Sequence, residues 1–225
     1  MFRESSEGYA EGMAEGLRER KKRQTRQYIS DVATGLFLER GFDAVTIAEI
    51  AQAADVSVNT VYNYFPAKED LFFDRSKGMA DRLSRFVRAR AEGESAAAAV
   101  LRELRDEVTC VSPKVGLFEG YERFMRVIHG SAVLQASLWR LQQEQYVNLE
   151  DTLRKETGAG PDDPAPHLMA GQINWVHQTL MSAIAQEMMA GREPGEVSRE
   201  ALALLDDMEE LLSGKVLNYA VRAAG

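Results

Sequence analysis

The sequence predicts an all-α protein of about nine helices, and three observations carry that prediction. Apolar residues recur at helical spacing from about Arg26 to the C-terminus. No stretch sustains the apolar–polar alternation of a strand. Glycine and proline cluster at a few points, such as "TGAGPDDPAP" and "GREPGE", and cut the chain into helix-length pieces. With 225 residues, 45% apolar and 28% charged, the chain is long enough to bury a core without staples. Its single cysteine excludes an intrachain disulfide. No apolar run approaches a membrane span, and the opening "MFRESSEGYAEGMAEG" lacks the apolar stretch of a secretory signal, so a cytoplasmic protein without a membrane partner is expected.

The first helix is predicted over roughly Gln24–Arg40, with Ile29, Val32, Ala33, Leu36 and Phe37 on one side and Gly41 as its stop. In "TIAE", Thr46 can cap the second helix while Glu49 returns a bond to the cap's own amide. Ile47, Ile50, Ala51 and Ala54 form its buried stripe, and Ser57 is placed to cap a third helix. Pro66 opens a long fourth helix reaching about Arg90, and "EGESAAAA" marks the break before a fifth that ends near Val111. A short helix follows Pro113, and three apolar helices fill about 132–156, 165–190 and 197–222.

The net charge of −8 argues against nucleic acid as a partner until charge placement is considered. "LRERKKRQTR" gathers Arg18, Arg20, Lys21, Lys22, Arg23 and Arg26 around Glu19 alone, which suits an arm lying along a polyanion or an ordinary solvated helix start.

"DVSVNTVYNYFPAKEDLF" separates these alternatives. At about 100° per residue, Val58, Val61, Tyr62 and Phe65 fall in one arc, with Tyr62 at its margin, and Asn59, Thr60, Asn63 and Tyr64 fall in the opposite one. Asn, Thr and Tyr are poor helix formers, and a purely solvated face usually carries Glu, Lys, Gln or Ala. Neutral donors and acceptors are what base edges require, since Asn pairs in bidentate fashion with adenine and Thr contacts a thymine methyl or a phosphate. Lys68 occupies the first turn of the fourth helix, where the helix dipole disfavours a cation and a bound phosphate would relieve the mismatch.

Two short helices joined by "ADV", the second of them capped, read as a helix-turn-helix. "GFDAVTIAEIAQAADVSVNTVYNYFPAKEDLF" resembles the DNA-binding domain of the tetracycline-repressor (TetR) family of bacterial regulators, over about 25–74. The resemblance rests on the glycine after helix one, on T-x-x-x-[IL]-A and on T-[VL]-Y-x-Y-F-x-x-K-[ED]-x-L, all in order. It implies a three-helix DNA-binding domain followed by a larger helical domain that binds a ligand and dimerises. By position, Thr46 and Lys68 resemble the family's phosphate contacts, Thr60, Tyr62 and Tyr64 its recognition-helix contacts, and Asn59 and Asn63 the positions that vary with operator. Ser57, Lys22 and Arg23 complete the expected DNA-binding set. Asp55 stands where many members carry glycine, and Val58-Asn59 replaces a more usual Lys-Gly or Lys-Pro.

Three units are therefore expected: 1–23 as a flexible basic extension, 24–74 as the DNA-binding domain, and 75–225 for ligand and dimer. Aromatic and Met side chains at helical spacing in the last unit are core or pocket. Phe86, Phe118, Tyr121, Met125, Trp139, Gln142, Trp175 and Gln178 are the pocket candidates, and His129 and His177 are further polar groups able to orient an apolar effector. The last two helices, with Leu205 and Leu212 on their apolar faces, are the expected homodimer surface, setting two recognition helices about 34–36 Å apart. His129, His167 and His177 lack metal-site spacing, and no nucleophile elbow, P-loop or dinucleotide motif occurs, so neither catalysis, a metal nor a cofactor is expected. The expected function is a ligand-released repressor acting as a homodimer on a palindromic DNA operator. The alternatives are a ligand-independent DNA-binding regulator of the same fold and a helical adaptor that binds protein.

Overall fold

A computed structural model describes residues 5–76 and 78–223, with side chains from residue 16 onward, Arg75 apart. Among the described residues there are eleven α-helices, two 3-10 turns and no strand. The chain forms two compact units, Met1–Ser76 and Lys77–Gly225.

The first unit contains α1 (Ser5–Arg40), α2 (Ile47–Ala53), α3 (Val58–Tyr64) and α4 (Lys68–Phe72). Helix α1 starts well before the Gln24 predicted from apolar spacing. Residues 17–23 are Leu, Arg, Glu and Lys, all strong helix formers, and they lie exposed. A stretch without a buried face gives no apolar period, so that criterion does not mark residues 17–23. Its stop is as predicted: Gly41 takes φ 85 and its amide donates to the Phe37 carbonyl at 2.9 Å. Ile29, Ala33 and Phe37 of α1 are fully buried with Val45, Ile50, Val61, Phe65 and Leu71, a core in which each large side chain contributes about 1.5–3 kcal/mol. The Phe37 and Phe42 rings lie 5.0 Å apart.

The long fourth helix expected from Pro66 to Arg90 is instead interrupted. Helix α4 ends at Phe72, a 3-10 turn covers Asp74–Ser76, and α5 (Arg82–Arg88) begins only after Gly78 at φ 84, a conformation that cannot propagate a right-handed helix.

The second unit packs α5, α6 (Ala96–Thr109), α7 (Tyr121–His129), α8 (Ala132–Thr157), α9 (Ala165–Met189), α10 (Pro194–Leu211) and α11 (Gly214–Leu217). Helix α9 lies between α8 and α10, α6 packs on α5 and α10, and α8 also contacts α5 and α7. The final helix is shorter than predicted because Leu212 and Ser213 adopt extended backbone before α11. Leu205 and Leu212, expected at a dimer surface, are 0% and 7% exposed and belong to this unit's own core. The amphipathic pattern was real, but α6 and α9 of the same chain cover it. Helix α9 carries one acidic residue, Glu187, and no Lys or Arg. Ile173, Val176, Leu180 and Ile184 are buried on one side, while Leu168, Trp175 and Met189 are 59%, 42% and 36% exposed on the other. No described helix is long and apolar enough to cross a membrane.

Candidate nucleic-acid interface

Two helix caps build the site, the first of them reciprocal. Thr46 Oγ1 accepts from the Glu49 amide at 3.2 Å while the Thr46 amide donates to Glu49 Oε2 at 2.8 Å. These bonds, the Thr46 amide first and the Arg40 guanidinium next, hold the Glu49 carboxyl down at about 2. The box therefore stays ionised through the neutral range. Between α2 and α3 the chain turns at Asp55, whose φ of 52 is the left-handed conformation usually given to glycine. Ser57 then caps α3, its Oγ accepting from the Thr60 amide at 3.0 Å and lying 2.8 Å from Thr60 Oγ1.

Helix α3 is anchored by Val61, its one buried residue, and by Phe65 just beyond its end, both 0% exposed. Its outer surface is Val58, Asn59, Tyr62 and Asn63, all exposed, with Thr60 half-buried beside Ser57. This differs from the predicted wheel. Val58 is 40% and Tyr62 50% exposed, whereas Tyr64 is half-buried. The reason is that Phe65 is not helical: its φ of −137 and ψ of 99 are extended, so counting it on the wheel rotated the buried arc toward Tyr62. Centred on Val61 alone, Tyr64 lies about 60° and Tyr62 about 100° from the buried direction.

The basic residues divide into two groups. Arg18, Arg20, Lys21, Lys22 and Arg23 are exposed along α1. Arg26 instead serves the fold: it pairs with Asp74 at 2.8 Å, donates to the Tyr64 carbonyl and lies 4.1 Å from the centre of the Phe65 ring. Lys68 is half-buried and donates to the Phe42 carbonyl at 2.6 Å, with its ammonium 4.3 Å from the Phe42 ring centre. Desolvation lowers its pKa. One of its three N–H groups is thus committed to the first unit, and no feature of "PAKED" announced that contact.

The predicted pocket residues are only partly gathered. Phe118, Tyr121 and Met125 are half-buried around the start of α7, the first two rings 5.5 Å apart, and burial raises the Tyr121 pKa. Phe86, Gln142 and Gln178 are half-buried on α5, α8 and α9. Trp139 and Trp175 are 63% and 42% exposed and line no interior, because each stands two positions, roughly 200° around the helix, from a buried neighbour, Ser137 or His177. His129 is exposed and His177 buried. The second unit also buries Arg82, which no pattern in the sequence distinguishes among the chain's many arginines.

Residues 29–74 match the family model of bacterial regulatory proteins, tetR family. The chain is 28% identical over 159 residues to the HTH-type transcriptional regulator TcmR of Streptomyces glaucescens, covering 65% of this chain and 66% of TcmR. It is 32% identical over 139 residues to the HTH-type transcriptional regulator AcrR of Shigella flexneri, covering 58% and 63%. These matches therefore span just under two thirds of each relative's length. Among solved structures it is similar to the SmeT–triclosan complex, with a TM-score of 0.56 and 18% identity over 86% of this chain and 94% of that one. A capped helix-turn-helix at the head of an all-α chain defines the class, and the match names the domain: residues 29–74 are a DNA-binding domain of the tetR family of bacterial regulatory proteins, and the chain shares the fold of the SmeT structure. Its relatives carry the names of transcriptional regulators and not of enzymes.

Proposed function

We propose that this protein is a sequence-specific DNA-binding transcriptional regulator: a homodimeric repressor on a palindromic operator, released by a small-molecule effector. The observation that carries the reading is the outer surface of α3, where Asn59, Tyr62 and Asn63 stand exposed on a helix fixed by Val61, Phe65 and the Ser57 cap. A rigid helix presenting neutral hydrogen-bonding side chains suits the floor of a major groove. In this reading Asn59 and Asn63 read bases, and Thr46, Ser57, Thr60, Tyr62 and Tyr64 position the helix. Lys22, Arg23 and the remaining N–H groups of Lys68 meet phosphates.

The outer stripe of α9 supports dimerisation. Leu168, Gln172, Trp175, Ser182, Gln186 and Met189 are uncharged and lie on the side away from Ile173, Val176 and Leu180, and an uncharged stripe that exposes Leu168, Trp175 and Met189 together suits a protein contact. The surface proposed for the partner copy is thus this stripe and not Leu205 and Leu212. Release by an effector requires that it bind the DNA-competent and DNA-free states with different affinity. Triclosan, named in the SmeT complex, illustrates the kind of small molecule envisaged for residues 77–225. The test is selection of bound sequences from random duplex DNA by the full chain. A palindrome with half-sites one helical turn apart is expected, and an unenriched pool would overturn the reading.

A further inference from the structure

The second unit buries polar groups that its own fold leaves without partners. His177 of α9 is 6% exposed and receives a hydrogen bond at Nδ1 from the Gln145 amide nitrogen of α8, at 3.2 Å. Because Nδ1 accepts, the proton of the neutral ring sits on Nε2, and Nε2 has no partner. Desolvation, with the Arg82 guanidinium nearby, holds the His177 pKa at about 3, so the ring is neutral in the physiological range. Arg82, also 6% exposed, donates from Nη1 to the Lys114 carbonyl at 3.1 Å and from Nη2 to Glu107, yet its Nε–H is unpartnered. Asn174, one turn before His177, buries an unpartnered Oδ1. Ser84 Oγ is also unpartnered, but it lies two residues from Arg82, roughly 200° around α5.

Buried donors and acceptors without partners cost stability, and native folds rarely tolerate them unless something supplies the missing bonds. Here Nε2 of His177 and Nε of Arg82 are N–H donors, and Oδ1 of Asn174 is a carbonyl acceptor. Glu107 already neutralises Arg82, so the group they suit is uncharged. The flanking positions are apolar: Phe86 one turn beyond Arg82, Leu149 one turn beyond Gln145, and Ile173 and Leu180 beside His177. We propose that Arg82, Asn174 and His177 form the polar end of an effector site, and that it takes a neutral, largely apolar molecule whose polar group both accepts and donates hydrogen bonds, as a phenolic hydroxyl does. This rests on the effector part of the function proposed above and specifies the effector's chemistry.

The probes are phenol, 2-naphthol and 4-phenylphenol, each paired with its parent hydrocarbon, plus 2-naphthoate as an anion, titrated calorimetrically into the full chain. At least one hydroxyarene should bind about tenfold tighter than its parent, the equivalent of one good neutral hydrogen bond, and 2-naphthoate should bind more weakly than 2-naphthol. His177→Phe should reduce the hydroxyarene to the affinity of the hydrocarbon, and His177→Gln, which retains an N–H donor, should restore the preference. Asn174→Ala, at a half-buried position, should narrow it without threatening the fold. Equal binding of hydroxyarene and hydrocarbon, tightest binding by 2-naphthoate, binding of no probe, or a preference that survives His177→Phe would each overturn the proposal. Duplex binding measured in parallel separates the two readings: DNA binding without the hydroxyarene preference sinks only the site, and the preference without DNA binding sinks only the regulator.

Discussion

Asn59 and Asn63 are exposed and make no contribution to the core of the first unit, so their loss should be felt only in recognition. Each change to Ala should cost about 1–3 kcal/mol against the selected operator, at one base position per residue, and leave the thermal midpoint unchanged. Asp55 tests the turn. At φ 52 it holds a conformation that costs a non-glycine residue about 1 kcal/mol, so Asp55→Gly should gain up to about that much in a urea titration despite glycine's entropic cost. His177 sets a pH dependence of the second unit. Its folded pKa of about 3 lies below its ordinary value of 6.5, so between those values the unfolded chain binds a proton that the folded chain refuses. Stability is unaffected above about pH 6.5 and falls as pH drops below it, at up to about 1.4 kcal/mol per pH unit for a single group. Urea midpoints measured from pH 7 to 4 should fall more steeply for the native chain than for His177→Gln; parallel slopes would contradict the buried neutral ring.

The elements that were legible in the sequence were those fixed by local chemistry. The Thr46–Glu49 box, the Ser57 cap and the Gly41 stop each depend on residues within four positions of one another, and the structure has all three. Elements fixed by distant partners were not. Nothing within "PAKED" indicates that Lys68 will reach the Phe42 carbonyl, and Arg26 cannot be told from its basic neighbours without seeing Asp74 and Phe65. Tyr62 is exposed and Tyr64 half-buried, the reverse of the wheel, because the backbone at Phe65 is extended and not helical. Helix α1 places Arg18, Arg20, Lys21, Lys22 and Arg23 on an exposed, continuous helix. Lys21, Lys22 and Arg23 changed together to Ala preserve helix propensity and remove three positive charges. The slope of log affinity against log salt should become shallower by about 0.9 for each phosphate that is no longer neutralised. An unchanged slope would remove α1 from the interface.

For the whole molecule, the predicted fold class and the helix-turn-helix of a tetR-family domain were legible in the sequence, whereas the faces of the larger unit were not. Amphipathic stripes in the final helices state that a side is covered, but not whether the same chain or a second copy covers it. Leu205 and Leu212 are covered by their own chain, whereas Leu168 and Trp175 on the α9 stripe stay exposed among the described residues. Trp175→Glu and Leu168→Glu should therefore yield folded monomers in sedimentation, while Leu205→Glu should unfold the second unit by burying a charge. A persistent dimer in the first pair would move the interface elsewhere.

The central claim is that the exposed side of α3 reads base edges. Its most direct test is to repeat the random-duplex selection with Asn59→Ala and Asn63→Ala beside the native chain and with Gln27→Ala, an exposed α1 position, as control. Each α3 variant should lose preference at its own symmetric pair of positions within the palindrome while the control returns the native sequence. An unchanged sequence logo from both α3 variants would contradict the claim.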